Sequence, residues 1–207
     1  MIPPVTDHEG SRSDGRLLLW LLPALVAGMV IRLWGLSRQV MGGDELHAVR
    51  AVLELRFPEI LFTYRPQDAC LPLSALYRLL LVSPIPFTEM TMRAPILLSA
   101  ALMLVAAPFL LRRWLPAGTL VVFGWLLAIS PILVLYGRIV RSYAPVVLIA
   151  FAAVMVFYRW LEAPSRGRAV VYVVLAALAV YFHLVVTAFV LAPLLFAGLE
   201  RLVLARR

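Results

Sequence analysis

Three short polar groups interrupt an otherwise apolar chain, and each has chemical capacity. The first is Asp44-Glu45, adjacent carboxylates that follow Gly42-Gly43 and precede His47. Carboxylates so placed can take a proton from an attacking hydroxyl, align that hydroxyl, or bind a metal. The second is Leu135–Tyr143, in which Arg138 and Arg141 lie three residues apart between Tyr136 and Tyr143. Guanidinium groups at headgroup depth suit a phosphate or diphosphate. The same residues also read as interfacial anchors, with aromatic rings and snorkelling arginines at the membrane boundary. The third is His183, in Tyr181-Phe182-His183-Leu184. A lone histidine in an apolar stretch reads as a structural residue as readily as a ligand. His47, Asp44 and Glu45 could join it around a divalent metal, although no spacing here is diagnostic of one and no other cofactor is indicated.

The elements that must position these groups follow from composition. Hydrophobic residues make up 63% of the 207 and charged residues only 14%, and the mean hydropathy is +0.96. Soluble domains carry about 45–50% apolar and about 25% charged residues, so a water-soluble fold and a disordered chain are both excluded. Cys70 is the only cysteine, which rules out an intrachain disulfide. The net charge of +8 comes from arginine alone, since the chain has no lysine. That bias reads as GC-rich coding, and the arginines are dispersed between apolar runs, so a nucleic-acid partner is not expected.

Apolar stretches define the expected spans: Leu17–Ile31, reaching Leu36 if Arg32 snorkels, then Ala94–Leu111, Trp114–Tyr136 and Tyr143–Tyr158. Ala169–Leu199 is broken only by His183. At about 1.5 Å per residue it far exceeds the roughly 30 Å hydrocarbon core, so it reads as two short spans turning near His183. One long tilted helix is the alternative. The fold class is therefore an all-α polytopic membrane protein of about six transmembrane helices, with five as the alternative count. Residues 1–16 form an expected cytoplasmic tail and 17–207 a single transmembrane domain. Arg12, Arg16, Arg112, Arg113, Arg159, Arg166, Arg168, Arg201, Arg206 and Arg207 all fall on one side of this plan. The positive-inside rule then puts both termini in the cytoplasm of a cell (inner) membrane protein, with three hairpins pointing outward. The first span reads as a signal anchor, with no small-residue cleavage site.

The first outward loop, 37–93, is too long to be structureless and is expected to carry interfacial helices. Asp44–Leu55 reads as one of them. At about 100° per residue, Asp44, His47, Arg50 and Glu54 share an arc of about 120°, while Glu45 points among the apolar positions and needs a partner there. Asp44 also reads as the helix N-cap, a role compatible with a chemical one. Leu71–Val82 is too short to span and reads as interfacial or re-entrant. Arg93 begins the second span from outside.

The order of these motifs resembles the GT-C membrane glycosyltransferases, nearest to the bacterial branch of the protein O-mannosyltransferase superfamily. That branch includes the aminoarabinose transferase of lipid A and the rhizobial lipopolysaccharide-core sugar transferases. The residues that carry the likeness are Gly43-Asp44-Glu45 after the first span and Arg93-Ala94-Pro95 with Arg112-Arg113 around the second. Ser130-Pro131, Tyr136-Gly137-Arg138, Arg141-Ser142-Tyr143 and Tyr181-Phe182-His183 complete it. The Pro-Pro-Leu-Tyr piece of that family survives loosely as Leu71–Tyr77, and the likeness covers only the amino-terminal half of such proteins. The resemblance implies inverting transfer of a sugar from a polyprenyl-phosphate donor to a lipid, glycan or protein acceptor outside the cytoplasm. It makes Asp44 and Glu45 the catalytic candidates. His47, Arg65, Arg138, Arg141, Tyr143 and His183 become the substrate-binding candidates. Relatives of about twice this length imply a short natural member, part of a longer chain, or a module that works with a partner subunit. The competing expectation is a non-catalytic membrane subunit or lipid-binding scaffold. A small transporter ranks lower, because ionisable residues sit at span ends rather than mid-span.

Overall fold

The computed structural model describes residues 10–63 and 70–204. Within them the chain is helical, in the order α1 (Gly10–Leu33), α2 (Glu45–Glu54), α3 (Phe57–Phe62), α4 (Leu71–Val82), α5 (Glu89–Leu111), α6 (Ala117–Ile129), α7 (Pro131–Tyr136), α8 (Tyr143–Glu162), α9 (Arg166–Phe182) and α10 (Thr187–Leu204). Among the described residues, four segments are long and apolar enough to cross a membrane: Leu19–Arg38, Glu89–Leu111, Tyr143–Glu162 and Leu184–Val203. The chain is a helical membrane protein. Helix α1 already begins at Gly10, within the stretch expected to be a tail.

Small residues let the long helices approach closely, as they must where lipid supplies no hydrophobic drive between helices. A Cβ on Gly28 of α1 would lie 3.1 Å from the Ala128 Cβ of α6, and one on Gly124 would lie 2.5 Å from Leu21 Cδ2. Ala24, Ala107 and Ala128 are wholly buried at the same junction, with Met103, Leu104 and Leu127 packed around them. A second core joins α8, α9 and α10 through Ala150, Ala179 and Val190. There the Tyr172 hydroxyl donates to the Val190 carbonyl, so α10 folds back along α9.

The break between α9 and α10 falls where the length argument puts it. His183 ends α9 and starts a single 3-10 turn, Leu184–Val186. The stretch Trp114–Tyr136, expected to be one span, is instead divided. Helix α6 ends at Ile129, Ser130 is non-helical (ψ 117°), and α7 starts at Pro131. Proline has no N–H to continue the ladder and disfavours α conformation in the residue before it.

The turns separate into two ends. Turns 34–44, 137–142 and 183–186 lie together, linked by Arg138–Trp34, Val140–Glu45 and Tyr143–His183 contacts. The turn after α5 and the turn between α8 and α9 lie at the other end, where Trp114 and Arg113 both reach Glu162.

Candidate functional site

Glu45 is the first residue of α2, and it is buried (6% exposed). Its direction among the apolar positions is met by backbone donors from two turns. The Val140 N–H donates to Oε1 at 2.6 Å, and the Gly42 N–H donates to Oε2 at 3.4 Å. A carboxylate accepting a backbone N–H in a buried setting is a strong tie. It fastens the start of α2 to a turn 95 residues further along. Gly43 makes this approach feasible by adopting a left-handed backbone (φ 55°) that side-chain-bearing residues avoid.

Asp44 is in the N-cap position of α2, yet its side chain makes no capping hydrogen bond. The carboxylate is 76% exposed, and His47 Nε2 lies 3.9 Å from Oδ1. The capping role that the sequence suggests is therefore not performed by the side chain. What is held is the backbone: the Asp44 carbonyl accepts from Arg141 Nη1 at 3.1 Å. The outcome is an open carboxylate on a fixed main chain, beside a guanidinium.

Arg141 leads into an aromatic row. Its Cζ lies 5.9 Å from the centroid of the Tyr143 ring. Tyr143 packs on Tyr136 at 4.4 Å and on His183 at 5.7 Å between ring centroids. His183 accepts the Val185 N–H through Nδ1 at 3.3 Å. Burial, and then the nearby Arg141 charge, push the His183 imidazole below its ordinary pKa of 6.5. It is thus held neutral, with a ring nitrogen used as an acceptor. Asp44, His47, Arg141, Tyr143 and His183 are brought together at one end of the molecule.

Arg138 turns away from this group. Its Nη2 donates to the Trp34 carbonyl at 2.9 Å and its Nη1 lies 3.5 Å from the Ile31 carbonyl. It caps the C-terminal end of α1, where free carbonyls and the helix dipole favour a cation. Arg141, not Arg138, is the arginine beside Asp44. Arg65 lies outside the described residues.

Two further arginines are buried at the same end of α1. Arg32, whose snorkelling would carry the first span to Leu36, is 2% exposed and points into the protein. Its Nη1 donates to the carbonyls of Gly28 and Ala128, both at 3.0 Å, and its Nη2 to that of Leu127 at 3.1 Å. The reason is the break in the third span. Pro131 offers no N–H to Leu127, and at membrane depth no water replaces it, so a side-chain donor must. Gly137 completes the fit, since a Cβ there would lie 3.2 Å from Arg32 Nε and 2.9 Å from the Leu133 carbonyl oxygen. Arg93 is 1% exposed, with Nη1 at 3.3 Å from the Leu36 carbonyl and 3.4 Å from Glu89 Oε2. Among the described residues, the buried side-chain nitrogens that find no acceptor are Arg32 Nε, Arg93 Nε, Arg93 Nη2 and Arg138 Nε. Pro131 and Arg32 are the residues whose types bear on this arrangement, and neither fixes it from the sequence alone.

Under the aromatic row lies a cavity of about 260 Å³. Arg32, Ala100, Leu104 and Leu133 line it, and Tyr136 and Tyr143 contribute where it meets the polar end. Its wall is apolar apart from Arg32 and the tyrosine hydroxyls, so it accepts hydrocarbon rather than a sugar. Among the described residues, no three His, Cys, Asp or Glu side chains converge on a metal position. No family model, curated protein or solved structure matches the chain.

Proposed function

We propose that this chain is the membrane module of a glycosyltransferase that takes a sugar from a polyprenyl-phosphate donor and passes it, with inversion, to an extracytoplasmic acceptor. The observation that carries the reading is one juxtaposition. Asp44, with its carboxylate exposed, accepts Arg141 Nη1 on its carbonyl at 3.1 Å, and Arg141 lies over Tyr143, which walls an apolar cavity. Inverting transfer needs a base to deprotonate the acceptor hydroxyl and a cation to stabilise the departing phosphate. In this reading Asp44 is the base and Arg141 meets the phosphate. The first prenyl units lie in the apolar cavity, and His47, Tyr143 and His183 flank the sugar.

Glu45 has a different role from Asp44. Both its oxygens are engaged by backbone N–H groups, so it positions the Asp44 turn against the Arg141 turn and does not itself take a proton. Arg138 likewise acts on the end of α1. The associated topology has six crossings, formed by α1, α5, the α6–α7 pair, α8, α9 and α10, with Asp44 on the extracytoplasmic side. Helix α9 has 17 residues, about 26 Å of rise, and α6 with α7 runs from Ala117 to Tyr136, about 30 Å.

The second reading, a non-catalytic lipid-binding subunit, is favoured by the commitment of Glu45 and Arg138 to backbone groups. Asp44→Asn separates the two. A general base contributes about 10²- to 10⁴-fold, so transfer from a short-chain polyprenyl-phosphate sugar in proteoliposomes is expected to fall by at least a hundredfold. Full transfer by the variant would exclude Asp44 as the base. Activity that resides only in a co-purifying membrane protein would establish the subunit reading.

A further inference from the structure

At the end of the molecule opposite Asp44, the turn after α5 meets the turn between α8 and α9 around a cavity of about 300 Å³. Four of its five lining residues are charged: Arg113, Arg159, Glu162 and Arg168, with Ala163 the fifth. Three guanidinium groups against one carboxylate leave a local charge of +2 (three minus one). The carboxylate is already engaged on both oxygens. Trp114 Nε1 donates to Glu162 Oε1 at 2.6 Å, and Arg113 Nη2 lies 3.5 Å from Oε2. Arg168 Nη1 donates to the Arg159 carbonyl at 3.2 Å and to the Ala163 carbonyl, so it closes the C-terminal end of α8 and frames the cavity.

A second, independent feature points the same way. The cavity lies at the start of the 17-residue α9, whose first turn holds Arg166 and Arg168 and no acidic residue. Cations at the positive end of a helix dipole are unfavourable, and an anion there relieves both the dipole and the arginines. Ser165 Oγ satisfies only the Arg168 N–H, at 3.3 Å. The surroundings then identify the source of the anion. Helix α9 runs on from the cavity as an apolar helix whose Val170, Val173 and Val174 are 58–61% exposed.

We propose that this cavity binds the phosphate of an anionic phospholipid, whose acyl chains extend into the surrounding bilayer. Basic pockets between helices on the arginine-rich side of a membrane protein have the charge and depth for such headgroups. The site is independent of the transferase reading.

The test is binding of phosphatidylglycerol to the 207-residue chain in detergent, with phosphatidylcholine as the neutral control and inorganic pyrophosphate as the soluble anion. The variant is Arg113→Gln/Arg159→Gln, which leaves the Arg168 contacts to α8 in place. Each arginine near a membrane surface is worth about 1 kcal/mol, or roughly fivefold, so the double variant is expected to bind phosphatidylglycerol about thirtyfold more weakly. Equal affinity of the wild type for both lipids would overturn the proposal, as would unchanged affinity in a folded variant. Pyrophosphate bound tightly and not displaced by phosphatidylglycerol would overturn the lipid assignment. If the double variant unfolds, Arg113→Lys/Arg159→Lys decides: with the charge kept, preference for phosphatidylglycerol over phosphatidylcholine is expected to persist, and its loss would count against a charge-based site.

Discussion

Two neighbouring carboxylates have opposite fates because one helical step of about 100° separates them. Glu45 faces the protein and accepts the buried Val140 N–H, whereas Asp44 faces outward with its side chain 76% exposed. The first half of that contrast was legible in the amino-acid sequence, since Glu45 alone broke the polar arc. Its partner was not legible, because Val140 is 95 positions away and contributes a backbone group that any residue could supply. The same limit explains Arg138 and Arg141, which look equivalent three residues apart. Only the packed end of α1 distinguishes the one that caps carbonyls from the one that reaches Asp44. His183 gives this scale its prediction. Its pKa is lowered in the fold, by burial first and by Arg141 second, so its neutral form is the one that stabilises. The contribution is fully present above the ordinary value of 6.5 and is lost as pH falls through the lower folded value. The thermal midpoint is expected to drop between pH 7.5 and pH 5, and His183→Gln is expected to flatten that drop. An equal slope in the variant would remove His183 from the account.

Among the elements, the broken spans are the informative ones. The interruption at His183 was legible because an apolar stretch far longer than a bilayer must turn or tilt. The interruption at Ser130-Pro131 was not, because Trp114–Tyr136 has an ordinary length for one span and membrane helices tolerate proline. That tolerance requires a substitute donor, and Arg32 is the donor, bonded to the carbonyls of Leu127 and Ala128. An arginine near the end of an apolar helix ordinarily reaches outward to water. Here the packing of α1 on α6 through Gly28 and Ala128 brings orphan carbonyls within its reach. Arg32→Met is therefore expected to destabilise the protein by about 2–4 kcal/mol, read from thermal or denaturant unfolding in detergent. Pro131→Ala returns an N–H to Leu127, so adding it to Arg32→Met is expected to recover about 1 kcal/mol. A variant Arg32→Met as stable as the wild type would show that burying the charge costs as much as its three hydrogen bonds provide.

For the whole molecule, the turns gather at two ends. One end carries Asp44, Arg141 and the aromatic row, and the other carries the arginine-lined cavity beside Glu162. What the chain could not reveal from its residues was depth: a hydrophobic pattern marks which faces are apolar, not where two helices part to leave a cavity. The cavity under Tyr136 and Tyr143 arises from the parting of α1, α5, α7 and α8 around Arg32. Arg141 lies over Tyr143, which lines that cavity, and the proposed site for an amphiphile with an anionic head rests on this neighbourhood. The most direct measurement is binding of a short-chain polyprenyl-phosphate sugar to the purified chain in nanodiscs, wild type against Arg141→Ala. The account predicts saturable binding in the wild type and a loss of at least tenfold in affinity in a variant that remains folded. No binding by the wild type, or equal binding by the two, would contradict it.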